Sequence, residues 1–383
     1  MLRLPTNRND FIDFIRGLSI LCVILLHTNI WLPFADSHLG QMVPHAISNI
    51  SFHSGYYGVI IFFVVSGFLI TNTSIKRWGN LSRIRVIEFY QIRFARIIPS
   101  LIGLLIILTM LHLMSVDGFI IKTTTLENTL FAALTFHINW LEAKTGYLPA
   151  GWDVLWSLSV EEMFYLFFPI ICLLTRGKLL FKIILSIFVI FGPIARCLYA
   201  DNDIWAYHSY LSCMDGIAIG CLAAIYVNNV EIKRSASKFF LFSGLLLFIL
   251  IFIFRHTTYQ LGMTKIGVNV TILEIGIAFI LVCVSNLKIY SGGWLITVFS
   301  WFGKNSYEIY LTHVLVIFSI SYLFFTFKVS ANLIPICYGC ILFLSGLLGF
   351  IIATYFSEPI NQFLRTKFVE INQKSLKNTE YTS

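Results

Sequence analysis

The sequence predicts an all-α integral membrane protein, a polytopic bundle of about ten transmembrane helices with both termini in the cytoplasm. The first observation is composition: of 383 residues, 57% are hydrophobic and 12% are charged, against roughly 25% charged residues in soluble domains. The second is a series of ten apolar runs that approach the roughly 20 residues needed to cross a bilayer. The third is the alternating abundance of Lys and Arg between those runs. A sizeable soluble catalytic domain is therefore excluded.

The ten predicted spans are apolar runs separated by polar or charged segments. In chain order they cover residues 11–32, 57–75, 97–113, 155–174, 179–199, 204–227, 239–254, 268–284, 299–325 and 333–355. The apolar run 126–140 is shorter and interrupted by Asn128, His137 and Asn139, so it is predicted to be interfacial or re-entrant.

The first run is predicted to be a retained helix. It follows Arg3 and Arg8, as the apolar core of a signal peptide would, but it is long and no small-residue cleavage site follows it. Residues 1–363 are then expected to form one membrane module, and residues 364–383 a polar cytoplasmic tail.

The distribution of basic residues supports this number of spans. With a cytoplasmic N-terminus, 20 of the 27 Lys and Arg residues lie in inside segments and six lie outside, while Arg16 falls within the first span. Such a bias obeys the positive-inside rule, which a wrong number of spans would scramble. The net charge of +8 is thus explained by orientation in the bilayer, and no nucleic-acid partner is expected.

The cysteines indicate neither a disulfide framework nor a metal centre. All eight lie in or at the edge of apolar runs. Cys337 and Cys340 form a C-x-x-C, but inside an apolar helix they are interpreted as small packing residues. No metal is expected.

Two ionisable residues share one face of the first span. Arg16 and His27 are eleven residues apart, which at 100° per residue leaves them about 20° from a whole number of turns and about 16 Å apart along the axis. Ionisable groups inside a membrane are candidate functional groups because they are costly there. The alternatives are an Arg that snorkels to the surface and a structural, hydrogen-bonded His.

Arg93 and Arg96 form an R-x-x-R directly before the third predicted span. Placed at a helix start, the two guanidiniums would share a face and, with the helix dipole, attract phosphate groups. Ordinary inside-positive anchoring is the alternative explanation.

The fourth span begins with unusual polar content for a membrane helix. Glu161 and Glu162 lie in its first two turns, and Glu161 follows Ser157 by four residues on the same face. The predicted topology puts this end of the helix level with His27, where a carboxylate would orient the imidazole.

The ninth span carries Ser306, Tyr310 and His313 on one stripe, for which interhelical hydrogen bonding is the alternative explanation. Gly58 and the pair Ser66 and Gly67 in the second span are interpreted as small residues that let helices pack closely.

Taken in order, these motifs resemble the membrane-bound acyltransferase family 3, multi-pass proteins that place acyl groups, usually acetyl, on extracytoplasmic glycans. The resemblance extends from about residue 11 to residue 363. It is carried by Arg16 to His27, Gly58-Val59 through Phe62-Phe63-Val64-Val65-Ser66-Gly67-Phe68, Arg93-Phe94-Ala95-Arg96, Trp156-Ser157-Leu158-Ser159-Val160-Glu161-Glu162 with Phe164-Tyr165, Ser306-Tyr307 with Tyr310-Leu311 and His313, and Glu358-Pro359. Members often have an Arg two residues before the Asp of the sixth span, whereas this chain has Cys213 before Asp215.

The resemblance implies roles for these residues. His27 would act as general base or transient acyl carrier, with Glu161 orienting it. The supporting catalytic groups would be Ser157, Tyr310 and His313, and the donor-binding residues would be Arg16, Arg93 and Arg96. The donor is expected to be acetyl-CoA as co-substrate, with no metal.

The resemblance also implies a place and a partner. The acceptor is expected to be an O-antigen or exopolysaccharide hydroxyl at a bacterial inner membrane, with membrane lipids around the protein. The alternatives are a glycan transporter or flippase, since charged residues also mark transport paths, and an acyltransferase with a succinyl donor or a small-molecule acceptor. The oligomeric state is not predicted.

Overall fold

The computed structural model describes residues 9–286 and 293–380, and within those ranges it is helical and contains no β-strand. The prediction of an all-α fold is therefore confirmed. The α-helices, numbered in chain order, are α1 Asp10–Trp31, α2 His38–Met42, α3 His45–Phe52, α4 Gly55–Trp78, α5 Val86–Leu113, α6 Leu126–Leu134, α7 Ile138–Thr145, α8 Ala150–Asp153, α9 Leu155–Leu174, α10 Leu179–Leu198, α11 Asp203–His208, α12 Tyr210–Asn229, α13 Arg234–Phe252, α14 Arg255–Gln260, α15 Val268–Asn286, α16 Gly293–Lys304, α17 Ser306–Thr326, α18 Ile334–Ile352 and α19 Glu358–Glu380. Short 3₁₀ turns lie at Phe34–Asp36, Leu81–Arg83 and Ala331–Leu333, and a π-helical turn at Ala353–Ser357 joins α18 to α19.

Ten helical segments of the described chain are long and apolar enough to cross a membrane, which is the predicted number. They are α1, α4, α5, α8 with α9, α10, α11 with α12, α13, α15, α17, and the continuous α18 to α19 segment. The most buried are α4, α12 and α15, whereas α10, α13 and the last segment lie at the periphery. The cytoplasmic placement of the termini stays a prediction, and Arg3, Arg8 and Lys288 lie outside the described residues.

Most predicted spans agree with the structure within a few residues, and α9 has the predicted bounds. The third span differs, because α5 begins at Val86, eleven residues before the predicted start at residue 97. The extra turns contain Glu88, Arg93 and Arg96, charged residues that favour helix as well as apolar ones do but do not register as a membrane run.

The ninth span also differs, because Asn305 separates α16 from α17 and the span itself begins at Ser306. The polar stretch Lys304-Asn305-Ser306 marks this break in the sequence, and the predicted span ran through it. The predicted interfacial segment 126–140 corresponds to two short helices, α6 and α7, neither of which is long enough to span.

Glycines set the closest helix contacts. A Cβ atom on Gly17 would lie 1.9 Å from the backbone oxygen of Phe299, so α1 and α16 touch through their backbones. The central pair α4 and α12 packs the same way, since a Cβ on Gly67 would lie 1.9 Å from the oxygen of Ile217. In lipid, where apolar burial gives little advantage, such close packing is a main source of helix association.

A buried ion pair ties the peripheral helix α10 to the central helices α12 and α15. Arg196 of α10 pairs with Asp215 of α12 at 2.6 Å, and both side chains are almost fully buried. Arg196 also donates to the carbonyl of Gly267 and to Thr271 Oγ1 of α15, at 2.8 and 2.6 Å. The guanidinium that accompanies Asp215 is thus supplied by α10, whereas Cys213 occupies the position two residues before it.

Candidate active site

A cavity of about 1500 Å³ runs through the bundle between α1, α4, α5, α9, α17 and α19. Its walls carry charged and hydroxyl groups along their whole length, from the arginines of α5 to Ser157 and Tyr310. Polar groups at this depth are expected only where they face a cavity or a partner.

Three arginines that form no salt bridge within the described chain line one end of the cavity. Arg93 and Arg96 of α5 and Arg365 of α19 all line it, and none of them forms a salt bridge with any described residue. Because α5 starts at Val86, the two α5 arginines lie two to three turns inside the helix, so the predicted contribution from a helix N-terminus was wrong. What remains is a concentration of guanidiniums, which binds anions such as phosphates.

Glu161 occupies the middle of the cavity wall. Its Oε1 accepts hydrogen bonds from Ser66 Oγ and Tyr165 Oη, each at 2.5 Å. The guanidinium of Arg93 lies over the Tyr165 ring, 3.8 Å from its centroid. These contacts join α4, α5 and α9, and they fix Arg93 through a cation–π interaction.

Arg16 also lines the cavity, and it contacts two neighbours. Its Nη2 donates to Ser306 Oγ of α17 at 2.8 Å, and its Nη1 lies 3.5 Å from Asp13 Oδ1 one turn earlier on α1. Arg16 is therefore held inside the bundle rather than extended to the membrane surface.

Ser157 and Tyr310 meet at the far end of the cavity from the arginines. Ser157 Oγ lies 2.6 Å from Tyr310 Oη, which donates to the carbonyl of Val154 at 2.9 Å. Both residues line the cavity, and Ser157 and Glu161 face it together, as their spacing of four predicts.

His27 and His313 form a pair just beyond this end. Nδ1 of His27 lies 2.8 Å from Nε2 of His313, and Nδ1 of His313 lies 2.7 Å from the carbonyl oxygen of Tyr310. The carbonyl only accepts, so Nδ1 of neutral His313 carries the proton and Nε2 accepts. Nδ1 of His27 is then the donor to His313, which assigns the lone pair of His27 to Nε2.

The structure brings most of the predicted site residues together. The stripe of α17 contacts Arg16 through Ser306, Ser157 through Tyr310 and His27 through His313. The pairing of Glu161 with His27 does not occur, because Glu161 is occupied by Ser66 and Tyr165 while His313 takes the Nδ1 of His27.

Sequence reasoning missed two cavity residues. Ser66 was interpreted as a packing residue, although a hydroxyl within a run of Phe and Val was a signal for a polar contact. Arg365 was counted only as an inside-positive charge, and nothing in its local sequence shows that α19 returns it to the cavity.

Comparison with models of known protein families shows which family the chain belongs to. The family model for acyltransferase 3, described as an acyltransferase domain, matches residues 9–355. The chain belongs to the acyltransferase 3 family. This confirms the resemblance seen in the motifs, and it makes the protein a multi-pass membrane member of that family.

Curated relatives of this acyltransferase 3 protein are named as O-acetyltransferases. A candidate O-acetyltransferase of Staphylococcus aureus strain COL is 25% identical, over 80% of this chain and 50% of its own. Peptidoglycan O-acetyltransferase OatA of Listeria monocytogenes is 28% identical, over 50% of this chain and 29% of its own. O-acetyltransferase OatA of S. aureus strain NCTC 8325 is 25% identical, over 59% and 36% respectively.

The chain spans half the length or less of these relatives. No solved structure matches the chain.

Proposed function

We propose that the protein is an acetyl-CoA-dependent O-acyltransferase that acetylates a hydroxyl of an extracytoplasmic glycan. The observation that carries the proposal is the His27 pair, whose hydrogen bonds leave Nε2 of His27 as a proton acceptor. The pair lies just beyond one end of a cavity whose other end is lined by Arg93, Arg96 and Arg365. Membership of the acyltransferase 3 family and the names of its relatives support the reaction class.

The arginine end of the cavity would hold the donor. Arg93, Arg96 and Arg365 present guanidiniums to the phosphates of acetyl-CoA, and Glu161 keeps Arg93 in place through Tyr165. Arg16 lies deeper, and the pantetheine arm would extend along α1 toward Ser157 and Tyr310. The large cavity provides the volume for such an arm.

The chemical step follows from the assigned tautomers. Nε2 of His27 accepts the proton of the glycan hydroxyl, whose oxygen attacks the thioester carbonyl of acetyl-CoA. The tetrahedral oxyanion collapses, the C–S bond breaks, and the thiolate takes a proton from the His27 imidazolium. In a second route Nε2 of His27 attacks the thioester carbonyl first, the C–S bond breaks, and CoA leaves as the thiolate. The glycan hydroxyl then attacks the acyl-His27 carbonyl, its proton passes to the thiolate, and neutral His27 is restored.

Ser157 and Tyr310 are the groups available to stabilise the oxyanion. Both hydroxyl protons are engaged in the present arrangement, one within the pair and one at the carbonyl of Val154. Rotation of either hydroxyl toward the reacting carbonyl would supply one donor, which in other enzymes contributes about 3–4 kcal/mol.

The acceptor we propose is an O-antigen or exopolysaccharide at a bacterial inner membrane. Peptidoglycan is the second candidate, because the relative OatA of L. monocytogenes is named for it.

The test compares O-acetylation in cells that lack the gene and carry wild type, His27→Ala or the control His256→Ala. His256 is an exposed imidazole of α14 and does not line the cavity. Base-labile acetyl is measured by proton NMR in isolated surface polysaccharide and, separately, in isolated peptidoglycan.

The proposal is supported if wild type and His256→Ala restore O-acetyl groups and His27→Ala does not. Whether the restored acetyl is found in the surface polysaccharide or in the peptidoglycan identifies the acceptor. Incubating membranes with labelled acetyl-CoA distinguishes the enzyme from a transporter, because a transporter would consume no acetyl-CoA. Acetylation by His27→Ala at the wild-type rate would overturn the assignment of the base.

A further inference from the structure

Three side chains that play no part in the proposed reaction converge at the start of α9. Glu142 comes from α7, Asp153 from α8 and His208 from α11, and one ligand atom from each lies within 4.8 Å of the other two. In the chain as described, Oε2 of Glu142, Oδ1 of Asp153 and Nδ1 of His208 are all buried and have no hydrogen-bond partner.

Such an arrangement is costly unless something lies between these atoms. A buried polar atom without a partner costs about 1–3 kcal/mol, and more when it is charged. Two ionised carboxylates side by side in a buried site repel each other, and either a shared proton or a bound cation relieves that repulsion. A cation is favoured here, because a proton shared by the two carboxylates would still leave Nδ1 of His208 buried without a partner.

The three groups are held in place by their surroundings. Oε1 of Glu142 accepts from the backbone N–H of Leu148 at 3.2 Å, which leaves Oε2 directed at the cluster. The His208 ring stacks on Trp156 with centroids 3.9 Å apart and planes 4° apart. Asn139 Nδ2 donates to the carbonyl of His208 at 3.0 Å. Partners of this kind orient the ligands of known metal sites.

We propose that Glu142, Asp153 and His208 bind a divalent transition-metal ion, with Zn²⁺ as the best match. An imidazole with two carboxylates is a ligand set for Zn²⁺ and related ions, whereas Ca²⁺ and Mg²⁺ take oxygen ligands. Nδ1 of His208 and Oε2 of Glu142 are 3.9 Å apart, and tetrahedral Zn²⁺ with bonds of about 2.0–2.1 Å needs about 3.4 Å between ligand atoms. A small side-chain rotation closes that difference.

The bound ion would not touch the reacting atoms, and its role would be to hold the start of α9 in place. Val154, directly after Asp153, accepts the hydrogen bond of Tyr310, and Trp156, which stacks on His208, directly precedes Ser157. An ion bound here would fasten α7, α8 and α11 to the head of α9, and so hold Ser157 and Tyr310 in place. No spacing in the sequence indicates this set, because its members are far apart in the chain. The proposal is independent of the proposed function.

The experiment uses the full chain in detergent, purified with an affinity tag free of histidine and stripped with a chelator. It is then dialysed against equal concentrations of Zn²⁺, Mn²⁺, Mg²⁺ and Ca²⁺, and bound metal is measured by mass spectrometry. The variants are Glu142→Gln, Asp153→Asn and His208→Gln, and the matched control is Glu127→Gln, an exposed carboxylate of α6.

Wild type and Glu127→Gln are expected to bind one Zn²⁺ per chain, with at least a tenfold loss in the three site variants. Where a variant does not fold, the stripped wild type still gives a test: Zn²⁺ should raise its Tm, and Co²⁺ should give the visible absorption of a tetrahedral site. Wild-type binding no greater than that of folded Glu142→Gln, binding of Mg²⁺ or Ca²⁺ alone, or no Zn²⁺ effect on Tm would overturn the proposal.

Discussion

Nδ1 of His27 lies 2.8 Å from Nε2 of His313, so an imidazole of α1 is oriented by an imidazole of α17. The role that a carboxylate often plays beside a histidine is taken here by a neutral ring, itself anchored to the carbonyl of Tyr310 at 2.7 Å. A neutral partner fixes the tautomer of His27 without adding a charge inside the membrane, where an unpaired charge is costly.

His313 should act on the rate through His27. In His313→Gln the side-chain oxygen can still accept from Nδ1 of His27, whereas His313→Leu leaves that donor without a partner. We expect the leucine variant to lose about tenfold or more in kcat with little change in KM for acetyl-CoA, as the loss of one hydrogen bond of about 1.4 kcal/mol implies. The glutamine variant should keep most of the rate. Equal losses in both variants at equal protein levels would contradict this.

The cavity arginines should govern donor affinity. Neutralising Arg96 or Arg365 with Gln should raise KM for acetyl-CoA about tenfold each, because a charge-assisted hydrogen bond to phosphate contributes about 1.5–3 kcal/mol. The control is Arg234→Gln, an exposed arginine outside the cavity lining. Initial rates in membrane vesicles over a range of acetyl-CoA concentrations measure this. An unchanged KM in both cavity variants would mean that these arginines only orient the chain in the membrane.

The buried pair of Arg196 and Asp215 should matter for stability. Asp215→Asn removes the carboxylate that forms the buried ion pair with Arg196, a loss of about 3–5 kcal/mol. The double variant Arg196→Met with Asp215→Leu should recover a large part of it. Thermal unfolding in detergent measures both, with Glu370→Gln as the control, since Lys367 and Glu370 form an exposed pair worth about 0–1 kcal/mol. A single variant as stable as the double variant would contradict this.

Gly17 should tolerate no side chain. The added methyl of Gly17→Ala would overlap the backbone oxygen of Phe299 and push α16 away from α1, a cost of about 1–3 kcal/mol. Gly339→Ala on α18 is the matched control, because nothing lies within 4 Å of a Cβ at that position. The melting temperature in detergent should fall for Gly17→Ala and stay unchanged for the control. Equal melting temperatures would show that α16 can shift without loss.

The helices could largely be predicted from the sequence, because a lipid-exposed span must be a long apolar run. The bounds of α9 and the shared faces of Arg16 with His27 and of Ser306 with His313 follow from such runs and from helical periodicity. The partner of His27 could not be predicted, since it lies 286 residues away in the chain. Small residues and tertiary packing decide where two helices cross. The periodicity of a single helix carries no information about that crossing.

The start of α5 and the break at Asn305 were predicted wrongly for different reasons. Apolarity detects the part of a helix inside lipid, but α5 continues outside it through charged turns. The polar stretch Lys304-Asn305-Ser306 lies between α16 and α17, but the prediction joined the apolar residues before and after it into one span.

The three contacts of α17 have a mechanical consequence. Ser306, Tyr310 and His313 connect one rigid rod to Arg16, Ser157 and His27. Turning the rod about its axis by 30° would carry its side chains through about 3 Å, since they lie about 5–6 Å from the axis. All three hydrogen bonds would then break in a single movement, so the contacts of Arg16, Ser157 and His27 all depend on the position of one helix.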